Sequence, residues 1–408
     1  MQEEKKGTQI ASRVFDDGTI VELVAQGNQT TLCVSKDGAW QLLPEYLHDN
    51  GECVRPIPYS NNLISHGAIR LPSEPAEYGS INELRNDLTS YIARYVTLSP
   101  DALITAVSYV LLTWLFDVFE EVPYIRFLGD LGSGKTRALK VIGGITNKPF
   151  LASAASTISP IFYALDQFAP TLLLDEADLR WSDASNEFVK VLNNGNGKSL
   201  SVLRQSVQSK KGDFEPRAFR VYGPKILAMR KRFTDDGLES RFLTEVMGTT
   251  SPSPHVPISL PKGQEAEALA LRNKLLCFRI RNLHHAKIDT TTEVSTRSGR
   301  FNQMVMPLLS VTESGEARAA ILRFAAQSDD RLQAMRHASL EAVTRRSYLE
   351  LSGQGTKPVA VGDVADKVRD RIADYGRPVT NKLVGAVLRS SLGLETWKSG
   401  GKYWVARQ

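Results

Sequence analysis

Short runs of alternating hydrophobic and polar residues fill the first part of the chain. One stretch has two β-prone halves on either side of Asp17-Gly18, a dipeptide typical of a tight hairpin turn. Two further runs alternate as half-buried strands do, at 30–34 and 40–43. The pattern predicts a small β-rich domain over residues 1–78.

The pattern becomes helical near residue 80. Ser80 precedes one predicted helix, and Ser99-Pro100 precedes the next, with proline at its first position. The second helix contains the most apolar window of the chain, 102–116. Because this window of about 15 residues is shorter than a membrane-spanning helix, we expect a buried helix and no membrane contact.

Beyond residue 123, β-prone and helical stretches alternate, with apolar runs at 124–128, 150–152, 170–178 and 225–229. This alternation predicts an α/β fold with a parallel sheet and helices on both faces. The predicted core, with the helices before it, covers 79–250. Three helical stretches then predict an α-helical segment at 251–350, and a last module occupies 351–408.

Composition indicates a soluble protein of a reducing compartment. Hydrophobic residues make up 42% of the chain and charged residues 23%, as in ordinary globular proteins. The three cysteines form no Cys-x-x-Cys pair, which argues against a disulfide framework or a zinc site. Since the amino terminus is polar and has no apolar signal region, we expect a cytoplasmic protein.

A glycine-rich loop follows the apolar run 124–128 and precedes a predicted helix. The pattern G-x-x-x-x-G-K-[ST] is matched at every fixed position by Gly129, Gly134, Lys135 and Thr136, and the loop also contains Gly132 and Ser133. Glycines let backbone N–H groups converge on a polyphosphate, the lysine reaches the β- and γ-phosphates, and the hydroxyl binds Mg²⁺. The strand–loop–helix context favours an ATP site over a chance glycine-rich turn.

Two acids, Asp175 and Glu176, end the next apolar run. At the carboxyl end of a parallel strand, Asp175 suits the Walker B aspartate that holds Mg²⁺. Glu176 suits the base that orients the attacking water. The alternative is a pair of acids at a helix amino terminus.

A third candidate lies in the stretch 237–243. Arg241 suits the cation that a neighbouring subunit supplies to the transition state in ring ATPases. The alternative is a surface salt bridge with Glu239 or Glu245.

Two basic regions indicate a polyanionic partner. Lys210 and Lys211 lie at the predicted tip of a hairpin inserted before the run 225–229, where they could grip a DNA strand or simply occupy an exposed turn. From residue 357 onward, ten Lys and Arg face five acids, a surplus equal to the net charge of +5. This last module resembles a winged helix, whose DNA contacts we assign to Lys382, Arg389, Lys398 and Lys402. Winged helices also serve as protein-binding modules.

Together, these motifs resemble AAA+ ATPases of the helix-inserted clade. The order is the glycine loop, Leu-Leu-Leu-Asp-Glu, a hairpin, Gly-Pro-Lys-Ile-Leu-Ala and Glu-Ser-Arg-Phe. It is most similar to minichromosome-maintenance-like helicases and replication proteins of phages, plasmids and mobile elements. The resemblance implies a P-loop AAA+ core, a helical lid, a hexameric ring, Arg241 as arginine finger and Arg300 as sensor-2 arginine.

Two features depart from that family. Arg230 stands at the sensor-1 position, where Asn or Thr is usual, and the amino-terminal residues lack a zinc-bearing oligonucleotide-binding domain. The sequence thus predicts an ATP- and Mg²⁺-dependent motor on DNA, a helicase or replication initiator. The alternatives are a DNA-binding switch that does not unwind, as in transposition or defence systems, and a protein-remodelling ATPase.

Overall fold

A computed structural model describes residues 7–406 apart from 154–155, 176–182, 208–213, 234, 250–253, 290–298, 314, 354–357 and 373–378. The chain divides into two compact units, with the boundary between Ser328 and Asp329. The larger unit contains a five-stranded parallel sheet, and the smaller unit contains helices and a three-stranded antiparallel sheet. The fold class is mixed α/β, in agreement with the alternating sequence pattern.

Seven strands begin the larger unit: β1 (Thr8–Ile10), β2 (Ser12–Val14), β3 (Ile20–Gln26), β4 (Gln29–Lys36), β5 (Ala39–Leu43), β6 (Tyr46–Leu47) and β7 (Cys53–Pro56). One sheet runs β2-β3-β4-β5, and the other runs β1-β7-β6. The predicted hairpin is confirmed, since Val14 pairs with Ile20. Gly18 in its turn has a φ of 84°, which glycine adopts without strain.

These amino-terminal strands share the core of the larger unit. Residues of β3 contribute to both of its hydrophobic clusters. Glu22 of β3 is buried between Lys148 and Arg279, whose nitrogens each lie 2.7 Å from one of its carboxylate oxygens. A buried charge is tolerated only when it is paired. The Glu22 carboxylate therefore links β3 to the segments that contain Lys148 and Arg279.

Three helices follow: α1 (Asn62–Ser65), α2 (Ile81–Tyr95) and α3 (Pro100–Leu115), with a 3-10 turn at Phe116–Val118. Ser80 caps α2 in a capping box with Glu83. Ser99 makes no cap for α3, because its hydroxyl donates to Glu245 at 3.2 Å.

The apolar helix α3 is longer than its sequence window. Within the described part of the chain, Pro100–Val118 is the one helical stretch long and apolar enough to cross a membrane, at 19 residues. Its most apolar window is 72% buried inside the protein. It therefore packs as the buried helix that the sequence predicts.

The parallel sheet and its connections comprise β8 (Tyr124–Leu128), α4 (Lys135–Gly143), β9 (Phe150–Ser153), α5 (Ile158–Phe168), β10 (Leu172–Asp175), α6 (Asp183–Asn194), β11 (Ser201–Val207), β12 (Phe214–Arg220), β13 (Lys225–Met229), α7 (Asp236–Glu239) and β14 (Phe242–Val246). The strand order is β14-β8-β13-β10-β9, all parallel. The strands β11 and β12 form the predicted hairpin. Parallel strands bring the residues that follow them to one edge, the carboxyl edge, and those that precede them to the amino edge.

Three long helices come next, in agreement with the predicted helical segment: α8 (Gln264–Asn282), α9 (Gly299–Ser310) and α10 (Gly315–Ala338). The smaller unit then contains α11 (Leu340–Ser352), β15 (Val359–Ala360), α12 (Val361–Arg371), α13 (Asn381–Ser390), β16 (Thr396–Ser399) and β17 (Lys402–Val405). Its sheet order is β15-β17-β16. Thr380 caps α13 by accepting from the amide of Leu383.

Candidate functional site

The glycine loop joins β8 to α4 at the carboxyl edge of the sheet. Gly132 and Gly134 have φ values of 79° and 93°, so both positions need a residue that adopts left-handed backbone without strain. A Cβ on Gly129 would lie 2.8 Å from both the Met247 carbonyl oxygen and Ser133 Oγ. The loop thus folds tightly over the amino terminus of α4, where the free N–H groups favour an anion.

Thr136 and Asp175 meet at this edge. The strand β10 ends at Asp175, and the Thr136 hydroxyl in the first turn of α4 donates to Asp175 Oδ1 at 3.0 Å. A hydroxyl beside a carboxylate is an oxygen donor set that suits Mg²⁺, which takes one or two protein ligands and completes its shell with phosphate and water. The pair therefore fits the predicted metal, although the described residues contain no group of three potential metal ligands.

A cavity of about 260 Å³ opens between the loop and the strand ends. Lys135 Nζ donates to the Asp130 carbonyl oxygen at 2.5 Å and lies 3.5 Å from Ser133 Oγ. The cavity is lined by Leu131, Gly132, Gly134, Lys135, Thr136, Arg137, Asp175, Ala228, Met229 and Arg230. Of the predicted phosphate- and metal-binding residues, five line this cavity, and Glu176 lies outside the described residues.

Arg230 enters the cavity because β13 lies between β8 and β10 in the sheet. Met229 pairs with Leu128, so the next residue is level with the start of the glycine loop. The sequence shows Arg230 as a departure from the family pattern, and the structure places this residue in the lining of the same cavity as Lys135.

Arg241 lies at the other edge of the sheet. It precedes β14, and its carbonyl oxygen accepts from the amide of Tyr124, the first residue of β8. A five-residue strand spans roughly 16 Å at about 3.3 Å per residue. Arg241 is therefore separated from the glycine loop of its own chain by the length of β8.

The half-buried side chain of Arg241 is held at two points. Its Nε donates to Asn196 Oδ1 at 2.9 Å, and its Nη1 donates to the Gly237 carbonyl oxygen. Burial first, and then the charge of Arg300, lower the pKa of Arg241. The alternative partners have other contacts, because Glu239 pairs with Arg126 and Glu245 accepts from Ser99.

Arg300, the first-turn arginine of α9, accompanies Arg241. Its Nη1 donates to the Gly237 carbonyl oxygen and to Ser240 Oγ, both at 3.0 Å. Since Arg241 and Arg300 bind the same carbonyl oxygen, two positive charges lie together in this cluster. Arg300 is not among the residues that line the cavity at Lys135, so it is grouped with Arg241 and not with the glycine loop of its own chain.

The predicted DNA contacts are partly within the described residues. Lys210 and Lys211 lie outside them. In the smaller unit, Lys382, Arg389 and Lys402 line one cavity of about 670 Å³ together with Asp363 and Asp366. The fourth predicted contact, Lys398, is exposed on β16.

Several residues of these sites escape sequence reasoning. Arg137 and Asn196 belong to no motif, and the Asn-Gly-rich stretch 193–197 predicts only a turn. Lys225, which begins β13, is fully buried and donates to the carbonyl oxygens of Gly195, Val221 and Gly223. The burial lowers the pKa of Lys225 to about 7.

No family model and no curated protein matches the chain. Among solved structures, the apo A form of the NrS-1 C-terminal region aligns with 95% of this chain and 96% of that chain, at 11% identity and a TM-score of 0.38. An inhibitor-bound JCV helicase aligns with 63% of this chain and 62% of that chain, at 17% identity and a TM-score of 0.23. Neither likeness establishes the fold or the activity of this chain.

Proposed function

We propose that the chain is an ATP-hydrolysing motor that acts on DNA, a hexameric helicase or replication initiator of a mobile element. The observation that carries this proposal is the contact of Thr136 with Asp175, 3.0 Å apart beneath the glycine loop. It brings a hydroxyl, a carboxylate and a helix amino terminus together where parallel sheets bind ligands.

The residues divide the work at this edge. Backbone N–H groups of the loop and Lys135 bind the phosphates, and Thr136 and Asp175 hold Mg²⁺, with Asp175 acting through water. When bound, the metal neutralises charge on the phosphate oxygens. Glu176 orients the attacking water. Arg230 adds a further cation of the same chain to the lining, besides Lys135 and Arg137.

Arg241 and Arg300 act on the site of a neighbouring subunit. Arg241 lies at the amino edge of the sheet, whereas the glycine loop leaves the carboxyl edge. Because roughly 16 Å of strand separates these edges, a role at phosphate requires a second chain. Because both arginines contact the carbonyl oxygen of Gly237, we name Arg241 and Arg300 together the finger cluster. This cluster would act on the triphosphate that a neighbouring subunit binds.

DNA is the proposed substrate on which this motor acts. Lys210 and Lys211 would contact a strand in the ring pore, and Lys382, Arg389, Lys398 and Lys402 would contact phosphates as parts of a winged helix. The helices α8 to α10 would form the lid.

One observation favours the protein-remodelling alternative. The carboxylates of Asp363 and Asp366 line the same cavity as the three cations, and they would repel phosphates but could pair with the basic side chains of a protein.

ATP hydrolysis measured without DNA, with single-stranded DNA and with duplex DNA tests the proposal. We expect stimulation by DNA and loss of activity in Lys135→Ala. A rate of ATP hydrolysis that DNA does not change at any salt concentration would support protein remodelling. Stimulation without separation of a forked duplex would support the DNA-binding switch.

A further inference from the structure

Asn196 is the residue whose side chain accepts a hydrogen bond from Arg241. Its side-chain oxygen accepts from Arg241 Nε at 2.9 Å, and the two residues are 45 positions apart in the chain. Asn196 lies between α6 and the hairpin, at the amino edge of the sheet. No motif includes it.

Backbone hydrogen bonds hold the segment around Asn196 in place. Its carbonyl oxygen accepts from the amide of Val122 at 2.8 Å, and the amide of Lys198 donates to the carbonyl oxygen of Glu120 at 2.9 Å. The amide of Gly223 donates to the carbonyl oxygen of Gly195 at 3.0 Å. The position of Asn196 therefore does not depend on its own side chain.

The neighbouring glycine is closely packed, with no room for a side chain. A Cβ on Gly195 would lie 2.4 Å from Lys225 Nζ and 2.6 Å from the Val191 carbonyl oxygen. The buried Lys225 also donates to the Gly195 carbonyl oxygen at 3.1 Å. The side-chain amide of Asn196 thus extends from this closely packed segment toward Arg241.

A neutral acceptor suits this position. Arg241 and Arg300 repel each other, so the guanidinium of Arg241 needs an anchor. A carboxylate would anchor it but would neutralise part of the charge that a phosphate must meet, whereas an amide oxygen leaves that charge intact.

We propose that Asn196 is a positioning residue for Arg241, which its amide oxygen holds in the orientation that reaches a neighbour's phosphates. The inference rests on the proposed function, in which Arg241 acts between subunits. A long, flexible arginine without this anchor would sample other rotamers, and the reaction rate would fall although each chain's own nucleotide site is untouched.

The first test compares Asn196→Ala with Asn194→Ala, a matched change in the same segment. We expect Asn196→Ala to lower kcat about tenfold while the Kd for ATP stays within about twofold of wild type. Asn194→Ala should keep wild-type kcat. Equal kcat in Asn196→Ala and Asn194→Ala would overturn the inference.

The second test uses mixed assemblies, which a merely structural role would not affect. Asn196→Ala subunits mixed with Lys135→Ala subunits should exceed the summed activities of the separate variants, because the latter supply an intact finger. Mixing with Arg241→Ala subunits should give no gain, and a gain there would overturn the inference. Adding Asn196→Ala to Arg241→Ala should cost nothing further, so a further loss would also overturn it.

A failure of the proposed ATPase function can be distinguished from a failure of the positioning role of Asn196. If Lys135→Ala hydrolyses ATP as fast as wild type, the site itself is wrong, whatever Asn196→Ala does. If Lys135→Ala is inactive and Asn196→Ala matches wild type, the ATPase stands and the positioning role falls.

Discussion

Arg126 and Glu239 form a buried ion pair between the strand that leads into the glycine loop and the turn that leads into Arg241. The side chains are 0% and 2% exposed, and Arg126 Nη2 lies 2.7 Å from Glu239 Oε2. The carboxylate also accepts from the amide of Phe233 at 2.7 Å and from Arg232 at 3.3 Å. The buried carboxylate of Glu239 therefore links β8, which leads into the glycine loop, to the segment that leads into Arg241.

Loss of Arg126 should destabilise the larger unit strongly. Arg126→Met leaves the Glu239 carboxylate buried with only part of its partners, so we expect the free energy of unfolding to fall by about 3–5 kcal/mol. Denaturant unfolding measures this change. The control is Arg13→Met, which removes an exposed pair with Glu52 and should cost less than about 1 kcal/mol. Equal costs for the two variants would contradict the buried pairing.

The hydroxyl of Thr136 should matter only through Mg²⁺. We expect Thr136→Ala to raise the Mg²⁺ concentration required for half-maximal hydrolysis at least tenfold, because the metal loses a ligand, and Thr136→Ser to stay near wild type. A Mg²⁺ titration at fixed ATP measures this. An unchanged midpoint in Thr136→Ala would remove this residue from the metal site.

Arg230 should distinguish ATP from ADP. If its charge faces the terminal phosphate, Arg230→Asn weakens binding of a non-hydrolysable ATP analogue by about tenfold and that of ADP by much less. Calorimetry with both ligands measures the difference. Lys231→Ala, at the exposed next position, is the control. Equal losses for both ligands would place Arg230 away from that phosphate.

Lys225 should make stability depend on pH. Burial lowers its pKa from 10.5 to about 7, so between these values the unfolded chain holds one more proton than the folded chain. The free energy of unfolding therefore gains up to about 1.4 kcal/mol per pH unit from this group as pH rises through that window, and nothing from it below the window.

The slope of stability against pH measures this contribution. We expect Lys225→Met, which has a similar volume and no charge, to be less dependent on pH from 7 to 10 than the wild type. An identical slope in the two proteins would show that Lys225 keeps its proton when folded.

The lysines of the smaller unit should contact the phosphates of DNA, so their contribution to binding should not depend on the base sequence. We expect Lys382→Ala and Lys402→Ala each to reduce by about one the slope of log K for DNA against log salt, because each contact releases about one counterion. Binding isotherms at several salt concentrations measure the slope. Lys36→Ala, an exposed lysine of the larger unit, is the control, and the same slope in all variants would exclude these contacts.

Local spacing made the arrangement of the glycine loop and Asp175 at one edge of the sheet predictable from sequence. The glycine loop is contiguous, and Asp175 follows an apolar run that can be placed only in a sheet, so both could be assigned to the same edge. The hairpin at Asp17-Gly18 and the cap at Thr380 were predictable for the same reason, since their hydrogen bonds span few residues.

Contacts between distant residues were not predictable. Ser99 has the sequence of a cap, but its hydroxyl contacts Glu245, 146 residues away. The helix α5 begins at Ile158 with Thr157 before it, although Ser159-Pro160 has the stronger helix-start signal. The pairing of Asn196 with Arg241 depends on how α6 ends against the sheet, and no local pattern records that.

The two edges of the parallel sheet have a consequence for assembly. In the proposed function one edge would receive the triphosphate and the other would supply the finger cluster, so subunits that complete each other's sites would associate head to tail. Such contacts close into a ring or continue as a helical filament. In a ring every site has a donor, whereas a filament always keeps one terminal nucleotide without a finger and one terminal finger without a nucleotide. Short filaments would then hydrolyse ATP more slowly per chain than closed rings of the same protein.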